Sequence, residues 1–109
     1  MSFEVVPIPE FVKELKRLAK KYRSLKVEMD ALGDELAKHP HMGTPIGNDC
    51  YKIRLAIKSK GKGKSGGARV ITCVVAVREE VYLLSIYDKS EQATLTDRRL
   101  KDLLKMVPR

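Results

Sequence analysis

Apolar residues recur with a helical period over the first third of the chain. They return every three or four positions over residues 11–22 and again over residues 25–36, which is typical of two amphipathic helices. Ser24 is a favourable N-cap residue for the second helix, and Pro40 ends it. Because only a short break separates the two segments, they predict a helical hairpin.

The rest of the pattern is mostly extended. A period of two, or a short run of apolar and β-branched residues, predicts strands over residues 3–6, 51–58, 68–77 and 81–87. The third of these is almost wholly apolar, so we expect a central strand that is covered on both faces. Residues 39–49 hold two Pro, two Gly and one Asn, which indicates a loop, and residues 59–67 form a Gly-rich connector.

The chain closes with a well-marked helix. Thr96 is the predicted N-cap, and Leu95 with Leu100 has the spacing of a hydrophobic staple. The order is β-α-α-β-β-β-α, which predicts one α+β domain over residues 1–109. We expect a small, mostly antiparallel sheet with an N-terminal helical hairpin and a C-terminal helix, all helices packing on one face.

Positive charge is concentrated in one segment. The protein has 22 Lys and Arg against 14 Asp and Glu, a net charge of +8. Residues 52–78 carry eight of the basic residues and no acid, so the remainder of the chain is balanced. Such a segment attracts a polyanion, because each phosphate that Lys or Arg neutralises releases condensed counterions. The alternative interpretation is a solvated polar sheet face.

Other features limit the class of protein. No apolar run approaches the roughly 20 residues that span a bilayer, and the first residues lack the pattern of a secretory signal. Cys50 and Cys73 have no zinc-site spacing and are interpreted as reduced, half-buried side chains. We therefore expect a cytoplasmic protein without a membrane partner.

Three segments together resemble a known family. They are DCYKIRL at residues 49–55, GGARV at residues 66–70, and SIYDK at residues 85–89 followed by Glu91. In this combination they look like the RelE/HigB toxins of bacterial toxin–antitoxin modules, and the order of elements resembles theirs over nearly the whole chain.

The resemblance implies an activity and partners. Typical members are ribosome-dependent endoribonucleases that cut translated messenger RNA by attack of a 2′-hydroxyl on the adjacent phosphate. No metal or organic cofactor is implied. The implied partners are the ribosome with its messenger and a cognate antitoxin that covers the basic face. Neither the resemblance nor the residues indicate an oligomeric state.

The same resemblance suggests which residues act. Lys52 and Arg54 fall on positions used for proton transfer and phosphate binding, Arg69 on the arginine that stabilises the transition state, and Lys89 on a further basic position. Cations aimed at the phosphorane oxygens lower the barrier. The remaining candidates are predicted to bind RNA or its phosphates: Lys58, Lys60, Lys62, Lys64, Tyr87 and Glu91.

This chain also departs from the best-known members. Ser90 stands where they have an arginine, and Leu95-Thr96 stands where they have a tyrosine. Glu91, Tyr87 or Lys64 are the candidates to replace those groups.

Two other functions fit the same pattern. One is a gyrase-poisoning toxin of the ParE type, against which Lys52, Arg54 and Arg69 argue. The other is a nucleic-acid-binding module without chemistry, which predicts that Arg69→Ala weakens binding only modestly.

Overall fold

The computed structural model describes residues 2–61, 63 and 66–108 of the chain. Within these residues the elements are β1 (Glu4–Pro7), α1 (Pro9–Lys21), α2 (Leu25–Lys38), β2 (Thr44–Gly47), β3 (Cys50–Leu55), β4 (Ala68–Val75), β5 (Glu80–Asp88) and α3 (Asp97–Leu104). The predicted α+β class and element order are confirmed, with β2 as one additional strand. None of the described helices is long and apolar enough to cross a bilayer.

The strands form a single mixed sheet in the order β1-β5-β4-β3-β2. β1 runs parallel to β5, and every other neighbouring pair is antiparallel. All eight residues of β4 are buried. The prediction of a central, doubly covered strand is therefore confirmed.

The helices pack on both faces of the sheet. Ala31 and Leu32 of α2 line a cavity with Ile53 and Leu55 of β3. Residues before and within α3 instead meet the opposite sheet face, where Leu95, Leu100, Ile71 and Tyr87 surround a second cavity. The prediction that all helices share one face was wrong, because Ile71 and Tyr87 are large apolar side chains that also need cover.

A short edge strand replaces part of the predicted loop over residues 39–49. β2 and β3 are joined by Asn48 and Asp49, whose φ values are +57° and +61°. Two consecutive positive φ angles define the type I′ turn that suits a two-residue hairpin. Pro45 lies within β2 and is tolerated there because edge strands leave one row of N–H groups unpaired.

Helix α1 covers an edge that β1 leaves open. β1 pairs with β5 only as far as Leu83, so the next N–H groups of β5 have no strand beside them. The Glu14 carboxylate accepts from the Ile86 N–H at 3.4 Å and from Ser85 Oγ at 3.0 Å. Burial raises the pKa of Glu14, and these two hydrogen bonds oppose that shift.

Several predicted ends and caps differ in detail. β3 ends at Leu55 rather than at residue 58, and a 3-10 turn, Lys58–Lys60, follows it. Thr96 caps α3 as predicted by accepting from the Arg99 N–H at 3.1 Å. Ser24 precedes α2 as predicted but makes no capping hydrogen bond, because its hydroxyl donates to Glu28 and accepts from the Ser59 N–H.

Both cysteines lie opposite each other. Cys50 pairs with Cys73 across β3 and β4, and no disulfide joins them. They are 1% and 0% exposed, so they are fully buried rather than half-buried as predicted.

Two glycines give a matched test of packing at the end of the Gly-rich connector. A Cβ at Gly67 would overlap the carbonyl oxygen of Leu55, whereas a Cβ at Gly33 within α2 would meet no atom. We expect Gly67→Ala to lower the free energy of unfolding by about 2 kcal/mol because the backbone must shift. Gly33→Ala should raise it by up to about 1 kcal/mol. Urea unfolding of both variants checks this, and equal effects would contradict it.

Candidate nucleic-acid interface

Three basic side chains share one face of the sheet. Arg54 of β3 pairs directly with Arg69 of β4, and Arg69 pairs in turn with Tyr87 of β5. Directly opposed residues in antiparallel strands point to the same side. Lys52 lies two residues before Arg54 and therefore joins this face. We call Lys52, Arg54 and Arg69 the basic face.

The hydrogen-bond pattern makes the two arginines close neighbours. The Val74 N–H donates to the Asp49 carbonyl at 2.9 Å, so these two opposed residues form a hydrogen-bonded pair. Hydrogen-bonded and non-hydrogen-bonded pairs alternate along an antiparallel ladder. Counting along the regular β3–β4 register makes Arg54 and Arg69 a non-hydrogen-bonded pair, with Cα atoms about 4.5 Å apart. Two like charges so placed repel each other, which favours the binding of an anion near them.

The three side chains differ in how firmly they are held. Arg54 is exposed and Lys52 is half-buried, whereas Arg69 is only 6% exposed. Arg69 Nη1 donates to the carbonyl of Ala68 at 3.2 Å. Within the described residues, Lys52 and Arg54 take part in none of the ion pairs. Their charges therefore remain available to an external anion.

Tyr87 lies in the same row but is buried. It is 2% exposed and borders a cavity of about 150 Å³ that Lys52, Thr94 and Asp97 also line. Burial raises the pKa of Tyr87, while Thr94 and the charge of Arg69 only partly oppose it, so the phenol is protonated at neutral pH. No described protein atom has hydrogen-bond geometry with this hydroxyl. The Tyr87 side chain is therefore packed within the fold, and its hydroxyl is not exposed.

Lys89 follows β5 at the same end of the sheet as Arg69. Its N–H donates to the Gly67 carbonyl at 3.0 Å, which ties it to the residue before β4. Its exposed side chain donates through Nζ to the Ala93 carbonyl at 3.1 Å. Lys89 therefore lies next to the basic face, and the loop that leads to α3 orients its side chain.

The lysines predicted as mobile RNA contacts are not equivalent. Lys58 is exposed in the 3-10 turn, and its N–H donates to Glu28 at 2.7 Å. Lys60 instead forms an ion pair with Asp88 at 2.6 Å, and its side chain is only 10% exposed. Its ammonium is thus held within the fold, contrary to the expectation of a mobile side chain. Lys62 and Lys64 lie outside the described residues.

Glu91 is directed away from the row of basic side chains. It forms ion pairs with Arg17 at 3.2 Å and Lys21 at 3.6 Å, both on α1. Glu91 therefore neutralises two basic side chains of α1. Its binding to RNA stays a prediction.

Sequence reasoning missed the buried partners of Lys60. The pattern did not predict that Asp88 and Tyr22 bind Lys60, although a hydrogen bond of 2.5 Å joins Asp88 to Tyr22 and Asp88 is 0% exposed. One sequence feature could have indicated this ion pair. Asp88 is an acid directly after an apolar strand, and the basic connector leads into the neighbouring strand.

Comparison with known protein structures identifies the fold. No family model matches the chain. A variant of the Escherichia coli toxin RelE in the free state matches with a TM-score of 0.66 at 19% identity, over 99% of this chain and 100% of that one. The toxin–antitoxin complex RelBE2 from Mycobacterium tuberculosis matches with a TM-score of 0.60 at 14% identity, over 81% and 92% of the two chains.

A further structure, the isolated E. coli RelE toxin, matches with a TM-score of 0.58 at 17% identity, over 97% of this chain and all of that one. The gyrase-poisoning alternative finds no support in these matches. The agreement extends over almost the whole chain and includes the element order, so this protein has the fold of the RelE-type toxins.

Proposed function

We propose that this protein is the toxin of a toxin–antitoxin pair and that it cleaves messenger RNA on the ribosome. The observation that carries the proposal is the basic face, in which Arg54 and the buried Arg69 oppose each other across β3 and β4 beside Lys52. The RelE-type fold and the resemblance of these strands to the RelE/HigB toxins support the same activity.

The proposed chemistry needs cations rather than histidine. The 2′-oxygen of one nucleotide forms a bond to the adjacent phosphorus while the bond from phosphorus to the 5′-oxygen breaks. The 2′-hydroxyl proton leaves to a base, and the departing 5′-oxygen gains a proton. The products are a 2′,3′-cyclic phosphate and a free 5′-hydroxyl.

Each residue of the basic face has a proposed role. Arg69 and Arg54 stabilise the negative charge that develops on the phosphorane oxygens, since preorganised cations lower such barriers. A buried arginine suits this task because its side chain is already ordered before substrate binds. In this proposal Lys52 carries a proton, and Lys89, next to the basic face, holds the neighbouring phosphate.

The proposed protein partner is an antitoxin. The M. tuberculosis match is a toxin–antitoxin complex, and an E. coli RelE variant bound to an antitoxin RelBc peptide matches with a TM-score of 0.57. An antitoxin that covers Lys52 and Arg54 would supply the carboxylates that the described residues do not offer them.

Translation in vitro tests the activity. Purified protein is added to a translating extract, and cleavage within the messenger is mapped by primer extension and by detection of cyclic phosphate ends. We expect cleavage with ribosomes present and little on naked RNA. Absence of cleavage in both cases, at toxin up to equimolar with ribosomes, would refute the nuclease.

The salt dependence of RNA binding gives a separate prediction. The slope of log affinity against log salt should become shallower by about 0.7 for each phosphate of single-stranded RNA that a variant no longer neutralises. We therefore expect Lys52→Gln with Arg54→Gln to reduce the slope of oligonucleotide binding. The control pair, Lys13→Gln with Lys16→Gln on α1, removes the same charge from a helix outside the basic face and should leave the slope nearly unchanged. Fluorescence anisotropy between low and moderate salt measures both.

A further inference from the structure

The end of β5 carries a carboxylate that surrounding atoms cover completely. Asp88 is 0% exposed and accepts from Lys60 Nζ at 2.6 Å and from the Tyr22 hydroxyl at 2.5 Å. Ser90 donates to it twice, through Oγ at 2.7 Å and through its N–H at 2.9 Å. Four donors around one carboxylate exceed what an incidental surface contact provides.

The Asp88 carboxylate is charged, and hydrogen bonds satisfy its oxygens. Burial raises the pKa of Asp88, but the hydrogen bonds from Lys60, Tyr22 and Ser90 together outweigh it and hold the pKa well below its usual range. Lys60 Nζ also donates to Ser90 Oγ at 2.9 Å and lies 5.6 Å from the centroid of the Tyr22 ring. A lysine in a Gly-rich connector would otherwise be solvated, so its burial fixes the position of the chain at Lys60.

The residues at the end of β5 hold both ends of the Gly-rich connector. Lys60, which Asp88 binds, closes the 3-10 turn from which the connector leaves. Ala68, where the connector returns, pairs with Asp88 in the β4–β5 register. The Lys89 N–H reinforces this return by donating to the Gly67 carbonyl.

Helix α2 anchors the same turn from a second side. The Lys58 N–H donates to Glu28 at 2.7 Å, and the Ser59 N–H donates to Ser24 Oγ at 2.9 Å. Side chains from the junction between α1 and α2, from α2 and from β5 therefore converge on three consecutive residues, 58–60. Such convergence restricts the connector's departure point much more than a surface loop requires.

Asp88 cannot itself touch a substrate on the basic face. It follows Tyr87 in the strand, and successive side chains of a strand point to opposite sides of the sheet. Tyr87 shares the side of Arg69, whereas Asp88 binds Tyr22, the residue after α1, on the other side. Any effect of Asp88 on that face must act through the backbone and through Lys60.

We propose that Asp88 is a positioning residue, which acts through Lys60 to fix the two ends of the Gly-rich connector, residues 60–61 and 66–67, next to Arg69 and Lys89. This rests on the proposed function, because the connector matters only if that face receives an RNA backbone. With residues 60–61 and 66–67 held, the backbone next to Arg69 and Lys89 is already ordered when substrate binds, so no ordering entropy is lost at that moment.

Three variants and a matched control test the proposal. Asp88→Asn removes the charge, Lys60→Met removes the ammonium, and the double variant removes both without leaving a buried charge. The control is Glu80→Gln at the opposite end of β5, where Glu80 binds Arg78 and Tyr82 at 2.6 Å each. All are compared well below their thermal midpoints, so that each population is folded.

Cleavage and local exchange are the main measurements. We expect Asp88→Asn and Lys60→Met to lower the single-turnover rate at saturating ribosomes by about tenfold to a hundredfold, as removal of supporting hydrogen bonds does elsewhere. Amide exchange at Lys60 and Gly61 should accelerate about tenfold or more, while Val70 in β4 stays protected. Glu80→Gln should change neither measurement by more than about twofold.

A salt series separates positioning from direct contact by Lys60. If Lys60 bound phosphate, Lys60→Met would reduce the salt slope of RNA binding by about 0.7. A positioning role leaves that slope unchanged while the rate falls.

Three results would overturn the proposal. They are unchanged exchange at Lys60 and Gly61 in every folded variant, a full cleavage rate despite accelerated exchange, and a reduced salt slope for Lys60→Met. If Asp88→Asn fails to fold, Lys60→Met and the double variant carry the decision. If the unmodified protein does not cleave messenger RNA, the proposed function fails, and exchange with the salt series decides whether Asp88 fixes the connector.

Discussion

Arg69→Ala is expected to reduce messenger cleavage by about 10²–10³-fold, the usual cost of removing one preorganised group that stabilises a developing anion. Arg69 suits that role because it is buried, because it donates to the Ala68 carbonyl, and because it lies directly opposite Arg54. The loss should appear in the chemical step rather than in RNA affinity, since Arg54 and Lys52 still attract phosphate.

Matched variants separate chemistry from folding. Arg69→Met keeps the aliphatic stem and fills the space, so it should fold like the unmodified protein and still lose the rate. Arg69→Lys keeps the charge without the planar fork and should be intermediate. Arg78→Ala, beyond the far end of β4, removes an exposed arginine and should leave cleavage within about threefold.

The outcome also distinguishes an enzyme from a binding module. A folded Arg69→Met protein that cleaves at nearly the normal rate would remove Arg69 from the mechanism. A modest loss of RNA affinity without any cleavage by the unmodified protein would instead favour a nucleic-acid-binding module.

Asp88→Asn is expected to cause the largest single loss of stability at neutral pH, about 3 kcal/mol. Breaking a buried ion pair from one side costs about 3–5 kcal/mol, because the remaining charge stays buried. The lower end of this energy range applies here because Ser90, which covers the carboxylate, is itself exposed. A domain of this size has about 5–15 kcal/mol of stability, so the variant should still fold.

The same substitution should change the pH dependence of stability. The pKa of Asp88 is lowered in the folded protein, so the unfolded state binds more protons as the pH falls. This contribution is complete above the unfolded value of about 3.9 and is lost as the pH drops below it. We expect the stability difference between the unmodified protein and Asp88→Asn to be large at pH 7 and to shrink toward pH 2.

Urea unfolding at several pH values measures this difference. Glu80→Gln is again the control. Tyr82 and Arg78 also lower the pKa of Glu80, but at an exposed turn, so the stability difference for this variant should change much less with pH. A constant gap between the unmodified protein and Asp88→Asn at all pH values would show that Asp88 is not charged in the fold.

Sequence patterns predicted elements well wherever one repeat dominated. The helical stripes, the buried β4 and the Thr96 cap followed from periodicity and local chemistry, and the alternation in β3 placed Lys52 and Arg54 together. β2 was missed because its four residues include Pro and Gly and become a strand only by pairing with β3. The residue types at Asn48 and Asp49, which favour a type I′ turn, were the local sequence signal for this hairpin.

The site was predictable in outline only. Alternation predicts which side chains share a face, but it does not predict how deeply each is covered. The burial of Arg69 was therefore not predicted, and for Tyr87 packing and exposure were both left open. Lys60 illustrates a second limit, since its partners Asp88 and Tyr22 are 28 and 38 residues away along the chain. Contacts of this kind depend on how α1 packs against β5.

The parallel pairing of β1 with β5 joins the first strand of the chain to one that begins 76 positions later, at Glu80. Such distant contacts slow folding because a long loop must close before they stabilise the chain. During synthesis β1 has no partner until β5 has left the exit tunnel. The sheet of this protein therefore cannot accept β1 until residues 80–88 have been synthesised and released from the tunnel.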